Sequence, residues 1–126
     1  MQHQLEVCIQ YARERHQFGQ SIGKFQSVAN RIADMKVRLE TARLMLYKVA
    51  WLKATGKPAA LEAAIAKLYL SECFVQSSQD AIRIHGGYGY TTEFEVERDL
   101  RDSIGGTLYS GTSDIQRVII ANWLGL

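Results

Sequence analysis

Three short stretches carry residue types whose spacing could do chemistry beyond holding a fold together. The first is RERHQFGQ, residues 13–20, where Arg15, Gln17 and Phe18 put a forked cation, an amide and an aromatic face just past a helix. That set suits a phosphate-bearing ligand, while the plainer reading is a helix end whose basic residues complement its dipole. The second is RIHGGYGY, residues 83–90, with three glycines in four positions. Glycine lets another backbone or a cofactor approach closely, but a dinucleotide fingerprint needs a strand before it and a helix opening from it. Taken alone, this run reads as a turn. The third is LYSGTSDIQRVII, residues 108–120, where Ser110, Gly111, Thr112 and Ser113 precede a helix start. A helix N-terminus offers unpaired N–H groups and partial positive charge to an anion or an electron-rich ligand. Ser113 with Gln116 makes a capping box, which leaves Gly111 and Thr112 to some other role.

The remaining composition bounds what these stretches can belong to. The chain has 126 residues, enough for one domain with a real core but small for a complete enzyme. Apolar residues make up 47% and charged residues 22%, an ordinary globular balance. A net charge of +2 with both signs mixed along the chain gives no basic face, so neither nucleic acid nor an anionic membrane is indicated as a partner. Cys8 and Cys73 match no metal-ligand spacing and have mostly apolar neighbours; the expectation is two buried, reduced thiols in a cytoplasmic protein. No apolar run is long enough to span a membrane. The opening MQHQLEVCIQYARERH reads as a helix in progress and not as a signal peptide, so the chain is expected to begin inside a larger protein.

The elements that must position the three stretches are helical. From Val28 the positions Val28, Ile32, Met35, Leu39, Ala42, Leu46 and Val49 follow alternating steps of four and three, a 3.5-residue seam that packs along a neighbour at a shallow angle. Val37, Leu44, Met45 and Trp51 add a second apolar face, which predicts a helix buried on two sides inside a bundle. Gly56 suits a left-handed helix end and Pro58 the first turn of a second long helix. That helix runs to about Ile84, with Leu61, Ile65, Leu68, Val75 and Ile82 as core candidates, and with Ala63, Ala66, Ser77 and Ser78 allowing close approach. Thr92 and Glu95 make a capping box for a short helix near residues 93–103, where Glu97 and Arg101 can pair, and IGGT ends it. A last amphipathic helix runs through Ile115, Val118, Ile119 and Trp123. The expected fold is an all-α, up-down bundle: two long antiparallel helices, an incoming helix and two short ones.

Taken in order, Arg–x–Gln–Phe–Gly, a two-helix hairpin, Gly–Gly–x–Gly–Tyr, the Arg–Asp of LRD, and Tyr–x–Gly–Thr–Ser–x–Ile–Gln–Arg resemble the C-terminal helical domain of the acyl-CoA dehydrogenases, from about Leu5 to Leu126. The resemblance implies a three-domain protein of which residues 1–126 are the last domain. It also implies bound FAD and an acyl-CoA substrate oxidised to the 2-enoyl-CoA, as in fatty acid metabolism. An electron-transfer flavoprotein or similar acceptor, and a homotetramer or homodimer built on the two long helices, follow from it too. By the same resemblance Arg15, Gln17 and Phe18 hold the pyrophosphate and adenosine side of a neighbouring subunit's FAD, and Phe25 and Gln26 form a second contact. Arg83 to Gly87 match the loop reaching that dinucleotide, with Arg83 where the family usually has Gln, His85 where Phe is common, and then Gly86 and Gly87. Thr112, Ser113 and Asp114 match the flavin-facing helix start, and Gly111 lies against the substrate.

Ser110 departs from the pattern, because most of the family carries its catalytic glutamate there. A serine hydroxyl is no base for a carbon acid near neutral pH, and no histidine is placed in sequence to activate it. The resemblance leaves three explanations: a glutamate on the preceding helix, before Met1; a flavin-binding paralogue or subunit without dehydrogenation; or related flavin chemistry on another substrate. Glu93, Glu95 and Glu97 read as a solvated or salt-bridged helix face, and Asp114 lies a turn too deep in its helix. A helical oligomerisation module is the non-enzymatic alternative. The isolated 126 residues are expected to fold as helices and to hold FAD weakly or not at all.

Overall fold

Helical periodicity with no strand alternation yields five α-helices: α1 (Gln2–Glu14), α2 (Gln26–Ala54), α3 (Ala60–His85), α4 (Val96–Leu108) and α5 (Ser113–Trp123). The structure, a computed structural model, describes every residue from 1 to 126. Arg31 meets Asp80, Thr41 meets Tyr69 and Lys48 meets Glu62, so α2 and α3 run antiparallel. This is the up-down, all-α bundle that the seam on α2 predicts.

α3 is the central element, with α1, α2, α4 and α5 all packed on it. A helix covered from several sides needs small side chains where its neighbours approach. Accordingly its buried positions include Ala64, Ala66, Cys73, Ser77, Ser78 and Ala81, whereas Leu61, Ile65, Leu68, Val75 and Ile82 are only half-buried. The buried hydroxyls are satisfied: Gln4 Nε2 donates to Ser78 Oγ at 2.6 Å and Arg38 Nε to Ser77 Oγ at 3.1 Å. The apolar core joins Leu5 and Cys8 of α1, Met35 and Leu39 of α2, Ala81 and Ile84 of α3, and Val96 of α4. Cys8 and Cys73 are buried and unpaired.

Several sequence expectations are corrected. α2 begins at Gln26, and only one of its faces is covered. Val37, Leu44 and Trp51 are exposed, because α2 lies at the edge of the bundle with α1 and α3 on one side of it. Gly56 is left-handed as expected, with φ +69°. Pro58 instead precedes the helix: Ala63 N–H donates to the Ala59 carbonyl at 2.8 Å, so α3 opens at Ala60. α4 runs over Val96–Leu108, not 93–103, and Glu95 precedes it without any side-chain cap. Glu95 is drawn instead to Arg98 at 3.1 Å and His3 at 3.6 Å. Gly105 and Gly106 do not end α4 but lie within it, where a side chain on Gly105 would collide with the Tyr109 ring at 2.8 Å. The Glu97–Arg101 pair forms at 3.1 Å. The apolar residues Ile115, Val118, Ile119 and Trp123 of α5 face outward and are exposed, and Gln116 is its buried residue.

One element has no antecedent in the sequence reading. His16–Gln17 (β1) and Gln20–Ser21 (β2) pair antiparallel around Phe18 and Gly19, at φ +53° and +79°. Two left-handed residues at the tip of a two-residue hairpin match the twist of the strands.

Candidate functional site

The three chemistry-bearing stretches fall into two groups at opposite ends of the bundle. At one end the C-terminus of α1, the hairpin and the C-terminus of α3 enclose a surface cleft of about 510 Å³. Arg15, Gln17, His85, Gly86 and Gly87 line it together with Tyr11, Tyr88 and Glu93. Arg15 ends α1 in an extended conformation and lays its guanidinium 5.5 Å from the centre of the Tyr88 ring, a cation–π contact that keeps the charge at the cleft wall. Gly86 has φ +61°, and an added Cβ at Gly86 or Gly87 would meet nothing within 4 Å. Their smallness therefore leaves open space beside the backbone and fills no packing need. Gly89 differs, since its Cβ would press on the Ile82 carbonyl oxygen at 2.8 Å.

His85 forms the floor of this end. It is 2% exposed, stacked on Tyr11 with ring centres 4.2 Å apart and tilted against Phe94 at 5.1 Å. Its Nδ1 lies 2.8 Å from the Ala81 carbonyl, which can only accept, so Nδ1 carries the proton. Burial holds the imidazole below its ordinary pKa of 6.5 against the smaller opposing effect of that hydrogen bond, keeping the ring neutral, and Nε2 is buried without a partner. Phe18 and Phe25 flank the same end edge to face, 6.1 Å apart, with Phe18 91% exposed on the hairpin tip. Gln26 is the exposed first residue of α2. Arg83 stands outside the cleft lining, held 3.4 Å from Asp80, whose same oxygen Arg31 meets at 3.2 Å.

At the other end the turn between α4 and α5 contains Ser110 and Gly111 in succession at φ +56° and +87°. A left-handed serine is strained and persists only where its surroundings hold it. Lys67 Nζ donates to the Gly111 carbonyl at 2.5 Å, and Gln116 Nε2 reaches the Ser110 and Gly111 carbonyls at 3.5 and 3.4 Å. The helix cap is therefore not the Ser113–Gln116 box that the sequence suggests. Thr112 is the N-cap, its Oγ1 accepting from Ile115 N–H at 3.2 Å, and Gln116 turns back to the turn instead. Ser113 Oγ, freed of capping, is buried without a partner. Asp114 is exposed in the first turn, 3.4 Å from Arg117, where its charge favours the helix dipole.

The two groups do not converge. Lys67 beside Gly111 and His85 in the cleft are separated by roughly 27 Å along α3, at 1.5 Å per residue. Tyr11, Tyr88 and Lys67 complete these surroundings, and none was singled out from the sequence. Tyr11 lies one helical turn before Arg15, a spacing that shares a face. Lys67 is the one charge in the otherwise apolar AAIAKLYL.

A family model described as "Acyl-CoA dehydrogenase, C-terminal domain" matches residues 1–125. The L-prolyl–peptidyl-carrier-protein dehydrogenase of Pseudomonas fluorescens is 52% identical over 126 residues, covering all of this chain and 33% of that protein. The crystal structure of the prolyl acyl carrier protein oxidase AnaB superposes with a TM-score of 0.96 at 58% identity, over 99% of this chain and 33% of that one. Butyryl-CoA dehydrogenase from Megasphaera elsdenii gives a TM-score of 0.96 at 38% identity, again over 99% and 33%. The chain thus spans about a third of the length of these relatives.

Proposed function

The chain belongs to the acyl-CoA dehydrogenase C-terminal domain family, and on that premise we propose that the full-length protein is an FAD-dependent dehydrogenase of acyl thioesters in which this domain supplies cofactor contacts and a subunit interface. The observation that carries the reading is the open, donor-rich cleft at one end of the bundle, with Arg15 and the bare backbone of Gly86 and Gly87 on its wall. The cleft end fits a dinucleotide: Arg15 offers a guanidinium for phosphate, Gly86 and Gly87 leave room for a ligand against bare backbone, and Phe18 and Tyr88 present aromatic faces. The α5 end fits the hydrogen-bond acceptor atoms of a flavin ring, through the N–H groups of the helix's first turn.

The family resemblance assigns the two ends to different FADs of an oligomer, and their separation of roughly 27 Å along α3 is compatible with that assignment. Arg15, Gln17, Phe18, Phe25, Gln26, His85, Gly86 and Gly87 then approach the cofactor of a neighbouring subunit, while Arg83, paired with Asp80 outside the cleft lining, takes no part. Thr112, Ser113 and Asp114 approach their own, and Gly111 adjoins the substrate. The uncovered apolar residues Val37, Leu44 and Trp51 of α2 supply the contact surface of a homodimer or homotetramer.

Bound FAD supplies the hydride acceptor of such a reaction. This chain's residues bind and orient. Arg15 balances phosphate charge, the α5 N-terminus and Lys67 set a positive field at the turn, and neutral His85 packs the cleft floor. Removal of the α-proton needs a carboxylate that Ser110 does not provide. In this reading the base, like the remaining walls of the acyl site, is supplied from outside residues 1–126. The acceptor is an electron-transfer flavoprotein or a similar oxidant, and the unpaired buried thiols suit a cytoplasmic setting.

Two thioester classes compete as substrate. The relatives at 52% and 58% identity are named for prolyl groups on carrier proteins, against a butyryl-CoA enzyme at 38%, and this ordering favours the carrier-bound prolyl thioester over acyl-CoA. The test is anaerobic titration of the purified full-length protein with an acyl-CoA panel and with prolyl-loaded carrier protein, following the flavin absorbance. Bleaching by the carrier-bound thioester alone supports the favoured reading; bleaching by acyl-CoA alone supports the other. A colourless preparation that cannot be loaded with FAD overturns both in favour of an oligomerisation module, and bound FAD that nothing bleaches indicates a paralogue without this activity.

A further inference from the structure

Two consecutive left-handed residues lie where the turn meets α5, and the strongest contact holding them comes from another helix. Ser110 at φ +56° is a conformation that side chains other than glycine adopt at a cost. Local contacts do not secure it: the Gln116 amide reaches the two carbonyls only at 3.4–3.5 Å, the outer limit of hydrogen bonding. Lys67 Nζ meets the Gly111 carbonyl at 2.5 Å, a short charge-assisted bond. The ammonium is directed at the turn, its hydrogen bond being to the Gly111 carbonyl and not to a carboxylate. Lys67 projects from the central helix, whose position four other helices fix, so the anchor is rigid at its base.

We propose that Lys67 is the positioning residue of the candidate flavin end: its ammonium holds the Ser110–Gly111 turn in its left-handed form and thereby sets where the turn's backbone and the first turn of α5 stand against the bound flavin and thioester. This rests on the reading that the α5 end faces FAD. Lys67 itself touches neither the cofactor nor the substrate; it acts through the Gly111 carbonyl. Losing the bond frees the strained serine to relax, moving the N–H groups and hydroxyls that the cofactor is read to meet. Misplacement on the ångström scale is enough to slow a reaction strongly while leaving binding of the distant parts of a substrate intact.

The experiment compares full-length wild type with Lys67→Met, which keeps the stem and removes the donors, and with Lys67→Arg, which keeps a charged donor. Amide hydrogen exchange over residues 109–116 judges the turn whether or not flavin is bound. It is expected to quicken about fivefold or more in Lys67→Met, with α1 and α2 unchanged and with substantial recovery in Lys67→Arg. In FAD-loaded protein that turns over its thioester, Lys67→Met is expected to lower kcat about tenfold or more with little change in KM and to shift the visible flavin band, both restored in part by Lys67→Arg. Unchanged exchange over 109–116 overturns the proposal, and so does quickened exchange with kcat and the flavin band unaltered. Global loss of protection in Lys67→Met, including α1 and α2, also overturns it, since Lys67 then supports the fold as a whole. Failure of the wild type to bind FAD removes the functional reading separately, because the exchange comparison still decides whether Lys67 holds the turn.

Discussion

Arg38 on α2 and Asp80 on α3 meet across the bundle at 2.5 Å, both largely buried, with the same guanidinium also donating to Ser77. Arg31 and Arg83 reach the other carboxylate oxygen from further off, at 3.2 and 3.4 Å, and are themselves half-exposed. Removing one member of a largely buried pair strands the other charge. Arg38→Met is expected to destabilise the protein by about 2–3 kcal/mol in urea titration, somewhat less than for a fully buried pair. A loss below about 0.5 kcal/mol, the level of an exposed pair, would mean that Arg31 and Arg83 satisfy Asp80 alone.

The start of α5 offers a sharp contrast between neighbouring hydroxyls. Thr112 caps through Ile115 N–H, while Ser113 Oγ is buried without a partner. Thr112→Ala is expected to cost about 1 kcal/mol in urea titration of flavin-free protein, with faster amide exchange in α5. Ser113→Ala is expected to change stability by less than about 0.5 kcal/mol, since no hydrogen bond is lost. The reverse order would restore the capping box centred on Ser113.

His85 ties stability to pH. Its folded pKa lies below the ordinary 6.5 because burial disfavours the charged ring, so the unfolded chain binds the proton more readily. The contribution is fully present above about pH 6.5, is lost as pH falls, and levels off below the folded pKa. His85→Phe keeps an aromatic ring against Tyr11 but cannot titrate. Urea titrations at pH 7.5 and 5.5 are expected to show a smaller drop for His85→Phe than for wild type. Equal drops would place the pH dependence on other groups.

Gly87 and Gly89 separate room for a ligand from room for packing. A methyl at Gly89 would meet the Ile82 carbonyl oxygen at 2.8 Å and His85 Cβ at 3.0 Å, whereas at Gly87 it meets nothing. Gly89→Ala is expected to cost about 2 kcal/mol. Gly87→Ala should be neutral or slightly stabilising, through a less flexible unfolded chain, yet should weaken FAD retention by the full-length protein. If Gly87→Ala holds FAD as tightly as wild type, the open backbone beside it is not where the dinucleotide lies.

Cys8 is fully buried, and its thiol is pushed up to about 12, chiefly by that burial and further by Asp80 and Asp99. It should resist a thiol-specific disulfide reagent at pH 8 in the native protein and react once denatured. Rapid native labelling at Cys8 would require α1 to lift away from the core.

Much of this architecture was legible in the sequence. The four-and-three spacing from Val28 to Val49 announced α2, Gly56 marked its end, and the order of motifs pointed to the family. Helix boundaries were less legible, because they depend on backbone donors and acceptors that periodicity does not encode. Pro58 fell outside α3, and Gly105 and Gly106 stayed inside α4, where small residues suit the packing. The hairpin around Phe18 and Gly19 was missed because two-residue strands leave no alternation to read.

The residue types that set the chemistry were determined by the sequence alone: a guanidinium at Arg15, open glycines at 86 and 87, hydroxyls at 112 and 113, and no carboxylate at 110. Those identities do not depend on conformation. Tertiary structure alone decided which of them share a surface. It joined Arg15 to Gly86 and Gly87, sent the Ser110–Asp114 turn to the far end of α3 and brought Lys67 to the Gly111 carbonyl. It also covered α2 on one face while leaving Val37 and Trp51 bare. These are contacts between residues distant along the chain, fixed by how helices pack around α3, and local spacing carries no record of them.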